Sequence, residues 1–388
     1  MALYLGLMSG TSLDGVDAVL VELDDGDGEG DSDSTRHAEV RGHTYSPYDE
    51  ALRAELLALN SPGDNELHRA ALAANRVALA YGHVVERLLG QTGTAPTQVR
   101  AIGAHGQTVR HRPQEWNGGG YTLQLLNGAL LAELTSIDVV CDFRSRDLAA
   151  GGQGAPLVPA FHAERFSRPG EDVAVLNLGG IANLTLLPAA GPVLGFDCGP
   201  GNALMDGWCR SHLGTPYDED GRWAASGHLA ANLLASLLAE PFFSRQPPKS
   251  TGRDLFNTGW LQARLAPFPA LAAADVMATL AEVTVLAALS AVDGHQPATR
   301  TLLVCGGGAF NRHLMTRLAA LRPAMAIRST ATAGVLPDQV EALAFAWLAR
   351  EFMQRRAGNL PAVTGARGSR PLGALHPAAL GGPAFLQR

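Results

Sequence analysis

The chain has 388 residues, enough for two domains of ordinary size, and 46% apolar against 17% charged residues indicates a globular protein rather than a disordered one. A formal net charge of −7 argues against non-specific binding to nucleic acid or to an anionic membrane. The four cysteines have no CxxC spacing, so we expect small buried residues of a reduced, cytoplasmic protein rather than a disulfide scaffold or a zinc site. We expect neither a signal peptide nor an apolar run long enough to span a membrane.

The first half of the chain alternates short apolar runs with segments of helical periodicity. Strands are predicted at residues 3–7, 18–23, 37–46, 101–105, 121–125 and 137–141, and helices at residues 50–60, 66–89, 127–134 and 158–166. The acidic, glycine-rich run at residues 24–34 is predicted to be a solvated loop without chemistry.

The strand pattern of the N-terminus recurs from residue 172. Strands are predicted at residues 174–178, 182–187, 193–196, 302–305 and 324–328, and helices at residues 203–213, 228–239, 272–292, 312–320 and 339–353. This alternation indicates an α/β protein. Because three strands joined by glycine turns open each half, we expect two turns that hold one ligand from opposite sides.

The turn at residues 9–17 is the first candidate for chemistry. Its two glycines allow a sharp bend and a close approach to a ligand, while its hydroxyl side chains and backbone N–H groups can hold phosphate. Asp14 and Asp17 would repel phosphate unless a divalent cation lay between them, and Mg²⁺ is the usual cation. The same residue types also build hairpin turns that bind nothing, so both interpretations stay open here.

Asp197 is the second candidate. It is predicted to end a strand and to enter the turn Cys198-Gly-Pro-Gly-Asn202 before a helix, where open α/β sheets place active sites. The alternative is an ordinary helix cap. The glycines that follow shape the backbone as well, and this favours a functional carboxylate.

Charged and polar loops supply further candidates. Four charged residues follow a buried strand: Asp142, Arg144, Arg146 and Asp147. They form an internal salt-bridge network, or their arginines bind sugar hydroxyls or a carboxylate. Gln107 and Thr108, with His105, form a polar strand end suited to a polar substrate, although a lone histidine there is more often structural.

Three later segments resemble ligand-binding elements more weakly. Gly306-Gly307-Gly308 lies between a strand and a helix, a setting for nucleotide contact, although neither GxGxxG nor GxxxxGK[ST] is present. The basic loop at residues 249–253 either touches phosphate or is only a surface loop. Glu341 opens the last helix, where it reaches a metal or phosphate or is simply solvated.

Six ordered motifs together resemble the motif series of the anhydro-N-acetylmuramic acid kinase family, within the actin-like ATPase and sugar kinase superfamily. The motifs are GLMSGTSLDGVD at residues 6–17, GAHGQT at 103–108, DFRSRD at 142–147, GGQGAPLVP at 151–159, GFDCGPGN at 195–202 and CGGGAFN at 305–311. The resemblance runs from Tyr4 to about His376, and six motifs in order are far more specific than any one glycine turn.

The resemblance implies an α/β fold of the two-domain actin-like ATPase (sugar kinase, ribonuclease H-like) type with an interdomain active-site cleft. The domains would be residues 1–135, rejoined by 360–388, and residues 136–359. It implies a cytoplasmic enzyme that uses ATP, Mg²⁺ and water to convert 1,6-anhydro-N-acetylmuramic acid into N-acetylmuramic acid 6-phosphate during peptidoglycan recycling.

The resemblance also implies roles for individual residues. Asp197 would be the general base that activates water, and the freed sugar oxygen would attack the γ-phosphorus. ATP would contact Gly10, Thr11, Ser12, Leu13, Asp14, Gly15, Val16, Asp17, Gly179, Gly180, Gly306, Gly307, Gly308 and Asn311. The sugar would contact Gln107, Thr108, Arg144 and Arg146, and Mg²⁺ would be held by Asp14 through water and by Glu341.

Two alternative functions remain open from the residues alone. One is a plain sugar kinase in which Asp197 deprotonates a hydroxyl and no ring is hydrolysed. The other is an actin-type nucleotide switch, against which the polar loops suited to a small ligand argue. A small-molecule substrate is expected as the partner, without nucleic acid or membrane, and a homodimer is left open.

Overall fold

The computed structural model describes residues 1–10, 12–25, 38–113, 115, 119–252 and 255–378. The chain divides into two compact units, Met1–Arg165 with Glu341–Arg388, and Phe166–Val340. We call them unit 1 and unit 2. Their boundaries differ from the expected residues 135 and 359, because a strand and two helices after residue 135, and a helix after residue 340, pack within unit 1. Most of the acidic run at 24–34 lies outside the described residues.

Unit 1 contains the following strands and helices. The strands are β1 (Ala2–Met8), β2 (Gly15–Leu23), β3 (Ala38–Pro47), β4 (Val99–Ala104), β5 (Gln107–Arg112), β6 (Tyr121–Leu125), β7 (Val139–Cys141) and β13 (Ala374–His376). The helices are α1 (Glu50–Ala58), α2 (Glu66–Thr92), α3 (Gly128–Thr135), α4 (Ser145–Ala149), α5 (Val158–Phe166), α12 (Val340–Met353) and α13 (Pro361–Thr364).

The main sheet of unit 1 has the strand order β13-β7-β4-β1-β2-β3. The first three strands of the chain form an antiparallel meander, and β4 and β7 join it in parallel beside β1. One face of the sheet packs against α2, which buries Val77, Tyr81, Val85 and Leu88. The 3.6-residue spacing of these positions puts them on one face of the helix, and this explains why the sequence predicts the helix well.

The other face of the sheet meets α12 at unusually close range. A Cβ atom added at Gly6 would lie 1.8 Å from the carbonyl oxygen of Ala342, and one at Gly103 would lie 1.9 Å from that of Phe345. Since no side chain fits there, the two adjacent strands β1 and β4 need glycine to let the helix backbone approach. This contact accounts for the assignment of α12 to unit 1.

Unit 2 is built from the intervening segment. Its strands are β8 (Val173–Leu178), β9 (Ile181–Leu187), β10 (Leu194–Pro200), β11 (Thr301–Cys305) and β12 (Ala326–Ser329). Its helices are α6 (Ala203–Leu213), α7 (Arg222–Ser226), α8 (Ala231–Leu238), α9 (Thr258–Leu265), α10 (Ala273–His295) and α11 (Arg312–Leu321).

The sheet of unit 2 repeats the topology of unit 1. Its order is β10-β9-β8-β11-β12, with an antiparallel meander of β8, β9 and β10 and with β11 and β12 added in parallel beside β8. In that order, the five strands of unit 2 correspond to β3, β2, β1, β4 and β7 of unit 1. The predicted recurrence of the strand pattern from residue 172 is confirmed as a repeat of topology.

Helix α10 corrects one expectation about membranes. Its sequence, Ala273–His295, has a hydropathy of 1.7 over an 18-residue window and is long enough to cross a bilayer, although no such run was expected. Of that window, 83% is buried inside the protein. We therefore interpret α10 as the central helix of the unit 2 core, where it contacts α6, α8 and α11 and shares one hydrophobic cluster with Leu204, Leu233 and Leu314.

Candidate active site

The turn between β1 and β2 is hydrogen-bonded to the segment that follows β4. Ser9 is buried, its hydroxyl donates to the carbonyl of Gly106 over 3.0 Å, and it lies 2.7 Å from the hydroxyl of Tyr81. Gln107 is fully buried and its Nε2 donates to the carbonyl of Gly10 over 3.0 Å. The turn is thus fixed by its hydrogen bonds to Tyr81, Gly106 and Gln107, all outside it, as a preorganised phosphate site requires.

The remaining predicted residues of this turn differ in position. Ser12 donates to the exposed carboxylate of Asp14 over 2.6 Å. Leu13 has a positive φ of 57°, and its side chain, like that of Val16, is buried in the core. Asp17 lies in β2, 3.2 Å from His43 of β3, rather than in the turn. Thr11 lies outside the described residues.

His105 connects this turn to a predicted sugar contact. Its Nδ1 donates to the carbonyl of Ser9 over 3.0 Å, and its Nε2 accepts from Nη2 of Arg144 over 3.0 Å. Both bonds require the neutral ring with its proton on Nδ1, because a carbonyl can only accept and a guanidinium can only donate. Burial, with Arg144 as a second cause, lowers the pKa of His105 to about 3.

Arg144 is also anchored to the glycine-rich loop at residues 151–156. Its Nη1 donates to the carbonyl of Gly154 over 2.8 Å, while the N–H of Gly154 donates to Asp147 over 2.8 Å. Burial lowers the pKa of Arg144 to about 10, against the opposing effect of Glu341 and Asp147. The guanidinium remains charged at neutral pH and is held in one orientation, as recognition of a polar ligand needs.

The four charges at residues 142–147 do not act alike. Asp147 is fully buried and accepts from Asn359 Nδ2 over 2.7 Å and from Thr364 Oγ1 over 2.8 Å, so it shapes the loop. Asp142 accepts from Ser145 over 2.6 Å, and Arg146 is exposed. Of the two arginines predicted to contact sugar, Arg144 is therefore the positioned one.

Gln107 and Thr108 begin β5 and do not form an open strand end. Thr108 pairs with Gln124 of β6, whose Nε2 donates to its hydroxyl over 3.2 Å. The Oε1 atom of Gln107 is buried and has no hydrogen-bond partner within the part of the chain that the structure describes. Since an unpaired buried acceptor is costly, it is a candidate to accept from a ligand or a water molecule.

In unit 2, Asp197 lies within β10, which continues to Pro200 with a bulge between Asp197 and Gly199. It does not end the strand as expected, and it is not a helix cap, because α6 begins after Asn202. Its partly buried carboxylate accepts from the amide of Asn183 and from the N–H of Thr251, the latter over 2.8 Å. A bulge beside a functional residue re-aims its side chain.

The environment of Asp197 raises its proton affinity. Burial raises the pKa of Asp197 to about 6, although the hydrogen bonds from Thr251 and Asn183 and the charge of Lys249 all oppose this shift. A carboxylate with such a pKa is mostly ionised at pH 7 and is a stronger base than an ordinary aspartate. These properties suit a general base that removes a proton near neutral pH.

The turn between β8 and β9 carries Gly179 and Gly180. Their carbonyls accept from the N–H groups of Asn202 and Gly201 over 2.8 and 3.0 Å, so the segment after Asp197 packs on the turn. A Cβ at Gly201 would lie 2.2 Å from the carbonyl of Gly179, whereas one at Gly179 would meet nothing nearer than 3.6 Å. The backbone at Gly179 is therefore open to a ligand.

The Gly306-Gly307-Gly308 segment follows β11 at the neighbouring strand end. Gly306 has a positive φ of 77°, and a Cβ there would lie 2.3 Å from the Oδ1 of Asn177 in β8. Asn311 caps α11, because its Oδ1 accepts from the N–H of Leu314 over 3.1 Å. The structure thus brings the glycine segment to the end of β8, beside the Gly179-Gly180 turn, and gives Asn311 a structural role.

Around Asp197, Asn183 was not predicted as a site residue, whereas Lys249 and Thr251 belong to the loop at residues 249–253 that was predicted either to touch phosphate or to be only a surface loop. Asn183 is the cross-strand partner of Asp197 in β9. A sequence pattern does not reveal which residues of two strands lie opposite each other. The loop at residues 249–251 is placed against Asp197 by the backbone bond from Asp197 N–H to Lys249 O, over 3.2 Å. The sequence contained one further indication that this loop is special, since Lys249 is the only lysine in the chain.

The two sheets repeat one topology, glycine turns follow their strands, and a carboxylate lies beside one of these turns. This arrangement defines an α/β protein of the actin-like ATPase class, which includes sugar kinases. The family model described as anhydro-N-acetylmuramic acid kinase matches residues 2–378. The chain belongs to the anhydro-N-acetylmuramic acid kinase family.

Individual relatives agree with this membership. The chain is 58% identical over 381 residues to the anhydro-N-acetylmuramic acid kinase of Variovorax paradoxus, covering 97% of this chain and 99% of the relative. It is 56% identical to that of Albidiferax ferrireducens, with the same two coverages. The activator of the 2-hydroxyisocaproyl-CoA dehydratase from Clostridium difficile, solved with bound ADPNP, aligns at a TM-score of 0.47 and 12% identity over 91% of this chain and 96% of its own. That likeness is too low to bear on activity.

Proposed function

We propose that this protein is an ATP-dependent kinase that opens the ring of 1,6-anhydro-N-acetylmuramic acid by hydrolysis and phosphorylates it to N-acetylmuramic acid 6-phosphate, in peptidoglycan recycling. Membership of the family and the names of its relatives support the substrate. The single observation that carries the mechanism is the carboxylate of Asp197, held by two hydrogen bonds and raised in pKa to about 6.

The proposed reaction assigns one proton transfer to Asp197. Its carboxylate takes a proton from water while the water oxygen bonds to the anomeric carbon. The bond from that carbon to the bridging oxygen breaks, and this oxygen takes the γ-phosphoryl group of ATP as the bond from phosphorus to the leaving ADP oxygen breaks. A second carboxylic acid, which an ordinary glycosidase needs to protonate the leaving oxygen, is not required in this scheme.

ATP with Mg²⁺ would supply the phosphoryl group and the positive charge that stabilises the leaving oxygen. The donors present fit such a ligand: Asp14 is an exposed carboxylate beside the Ser12 hydroxyl, and a Cβ at Gly10 would meet nothing nearer than 3.6 Å. Among the described residues no group of three or more His, Cys, Asp or Glu side chains could hold a metal ion. Mg²⁺ keeps waters and phosphate oxygens as ligands, so Asp14 through water and Glu341 stay our proposed contacts.

The proposed nucleotide contacts are backbone groups of Gly10–Asp17, of the Gly179-Gly180 turn and of Gly306–Gly308. The proposed sugar contacts are Arg144, Thr108 and Gln107, with Arg146 as the weaker choice because it is exposed. Arg144 is preferred because its two hydrogen bonds, to His105 and Gly154, hold it in one orientation and leave other N–H groups for a ligand.

The decisive experiment is mass spectrometry of the product formed from 1,6-anhydro-N-acetylmuramic acid, ATP and Mg²⁺ in H₂¹⁸O. We expect a ring-opened sugar phosphate with ¹⁸O on its anomeric carbon, and its loss in Asp197→Asn. Asp64→Asn, which removes an exposed carboxylate in unit 1, is the matched control and should react like the native enzyme.

The same experiment separates the alternatives. Phosphate transfer without ¹⁸O and with an intact anhydro ring would indicate a plain sugar kinase. ATP hydrolysis that the sugar does not stimulate and that persists in Asp197→Asn would indicate a nucleotide switch. We also propose a cytoplasmic location, where ATP is available; cell fractionation tests it, and recovery in the membrane fraction would contradict it.

A further inference from the structure

Lys249 is exceptional in the composition of the chain. Of the 30 lysine and arginine residues, it is the only lysine. The other 29 of these residues are arginines. Among the described residues, every ion pair with an acidic side chain uses an arginine, except the pair that His43 forms with Asp17. The one lysine lies in the loop against the proposed general base.

The ammonium group of Lys249 is held in a partly buried pocket of unit 2. Its Nζ donates to the carbonyls of Phe242 and Phe243 over 3.3 and 3.1 Å. It also lies 4.9 Å from the ring centre of Phe242 and 5.8 Å from that of Phe196, the residue before Asp197. Two carbonyls and two aromatic faces therefore stabilise a single positive charge.

The backbone around this lysine clamps Asp197 at two points. The N–H of Asp197 donates to the carbonyl of Lys249, and the N–H of Thr251 donates to the Asp197 carboxylate. The backbone of the loop thus positions the Asp197 carboxylate, while the Lys249 ammonium is held beside it by the carbonyls of Phe242 and Phe243. The charge of Lys249 lowers the pKa of Asp197, after the hydrogen bonds from Thr251 and Asn183 and against the larger opposing effect of burial.

The other titratable groups nearby cannot replace this charge. Burial raises the pKa of Cys198 to about 12, so its thiol is neutral, and burial lowers the pKa of His295, so its ring is neutral near pH 7. Arg245 is exposed, with its guanidinium carbon 6.0 Å from the ring centre of Phe242. Burial also lowers the pKa of Lys249 itself, and the charge of Asp197 opposes this shift.

The chemistry of lysine explains why arginine does not serve here. An ammonium is a compact point charge with three donors that rotate freely, and it fits between two neighbouring carbonyls over an aromatic ring. A guanidinium is planar and wider, and its fork matches a carboxylate or phosphate rather than this pocket.

We propose that Lys249 is a positioning residue that keeps the carboxylate of Asp197 ionised and aimed for proton abstraction. This inference rests on the proposed function for its consequence in catalysis. The electrostatic coupling of Lys249 to Asp197 can be tested without substrate.

The first test uses the lysine as a reporter. Protein labelled with [¹³Cε]lysine gives one lysine signal, and its chemical shift is followed from pH 4.5 to 9. We expect an inflection near pH 6 from ionisation of Asp197, which Asp197→Asn removes and Asp64→Asn keeps. An inflection unchanged in Asp197→Asn, or a flat curve, would overturn the coupling.

The second test is the pH profile of kcat/KM. In Lys249→Met, which keeps the length of the side chain without its charge, we expect the acid limb to move up by about one pH unit. The loss of kcat/KM would be about fivefold greater at pH 6 than at pH 8. Lys249→Arg keeps the charge, and its acid limb should stay within about half a unit of the native one even if its rate falls.

Arg245→Gln is the matched control, because it removes a neighbouring exposed cation and should leave the acid limb in place. A loss in Lys249→Met that is equal at all pH values would mean a merely structural role and would overturn the proposal. If Asp197→Asn still incorporates ¹⁸O, the proposed role of Asp197 as general base fails; if the native enzyme yields a sugar phosphate without ¹⁸O, the proposed function fails. The inflection in the lysine signal decides the coupling separately from both.

Discussion

Nη2 of Arg144 donates to Nε2 of His105 over 3.0 Å, and the same imidazole donates from Nδ1 to the carbonyl of Ser9. One neutral ring thereby joins the proposed sugar contact to the backbone of the proposed phosphate turn. Both partners are far from His105 in the chain, at separations of 39 and 96 residues. The bridge makes the orientation of Arg144 depend on the turn.

Replacing His105 should therefore affect both proposed substrates. In His105→Gln one short amide cannot make both hydrogen bonds, and we expect kcat/KM for the sugar to fall on the order of tenfold or more, with KM for ATP raised as well. Steady-state kinetics with each substrate varied in turn measures this. His68→Gln, on the exposed face of α2, is the control, and a change in the sugar KM alone would contradict the bridge.

Gln107→Met tests the support of the phosphate turn. It removes the hydrogen bond to Gly10 at nearly constant volume, so we expect the free energy of unfolding to fall by about 1 kcal/mol and the KM for ATP to rise. Urea unfolding and initial-rate kinetics measure the two effects. Gln91→Met, at an exposed position of α2, should change neither. A rise confined to the sugar KM would mean that Gln107 acts only through its proposed sugar contact and does not support the turn.

Gly6→Ala and Gly103→Ala should prevent unit 1 from folding, because each new Cβ would lie less than 2 Å from a backbone carbonyl of α12. We expect insoluble protein or a collapse of the unfolding transition. Gly90→Ala is the opposite case: it lies in α2 with nothing within 4 Å, and should stabilise the protein by about 1 kcal/mol. Thermal unfolding of the three variants compares them. A folded Gly6→Ala protein would contradict the close approach.

Asp197→Asn should be more stable than the native protein at high pH. The folded pKa of Asp197, about 6, lies above its unfolded value, so holding the charged form costs free energy above pH 6. We expect a gain of about 1–3 kcal/mol at pH 8, which shrinks as the pH falls through 6 toward 4. Urea unfolding at several pH values measures this difference. A gain that does not change with pH would argue against the raised pKa.

Acid should weaken unit 1 through its buried histidines. Burial lowers the pKa of His105 and of His162 to about 3, with Arg144 as a further cause for His105, so the unfolded chain binds more protons between pH 3 and 6.5. Their contribution to stability is full above pH 6.5 and is lost progressively as the pH falls toward 3. Hydrogen exchange, corrected for intrinsic rates, should show greater opening of Met1–Arg165 at pH 5 than at pH 7. Equal protection at both pH values would contradict this.

The helices with one continuous apolar face were the easiest to predict. The helix α6 has the predicted bounds, and α12 begins one residue after the predicted start. Strand β5 was missed because Gln107–Arg112 has no apolar alternation; it exists because it pairs with β6. Strand β13 was also missed, since three residues contain too little pattern and its pairing partner β7 is distant in the chain.

The amino-acid sequence alone determined the α/β class, the repeated meander and the family, because periodicity and ordered motifs are local properties of the chain. It also singled out Asp197 and, without choosing between them, Arg144 and Arg146. Only the tertiary structure decided which side chains meet: Thr251 with Asp197 across 54 residues, and Asn359 with Asp147 across 212. Such contacts depend on sheet register and on the closure of long loops, and the energies that select them come from burial and hydrogen bonds formed only when distant segments pack. The proton affinity of Asp197 is likewise a property of that packing and not of the residues beside it in the chain.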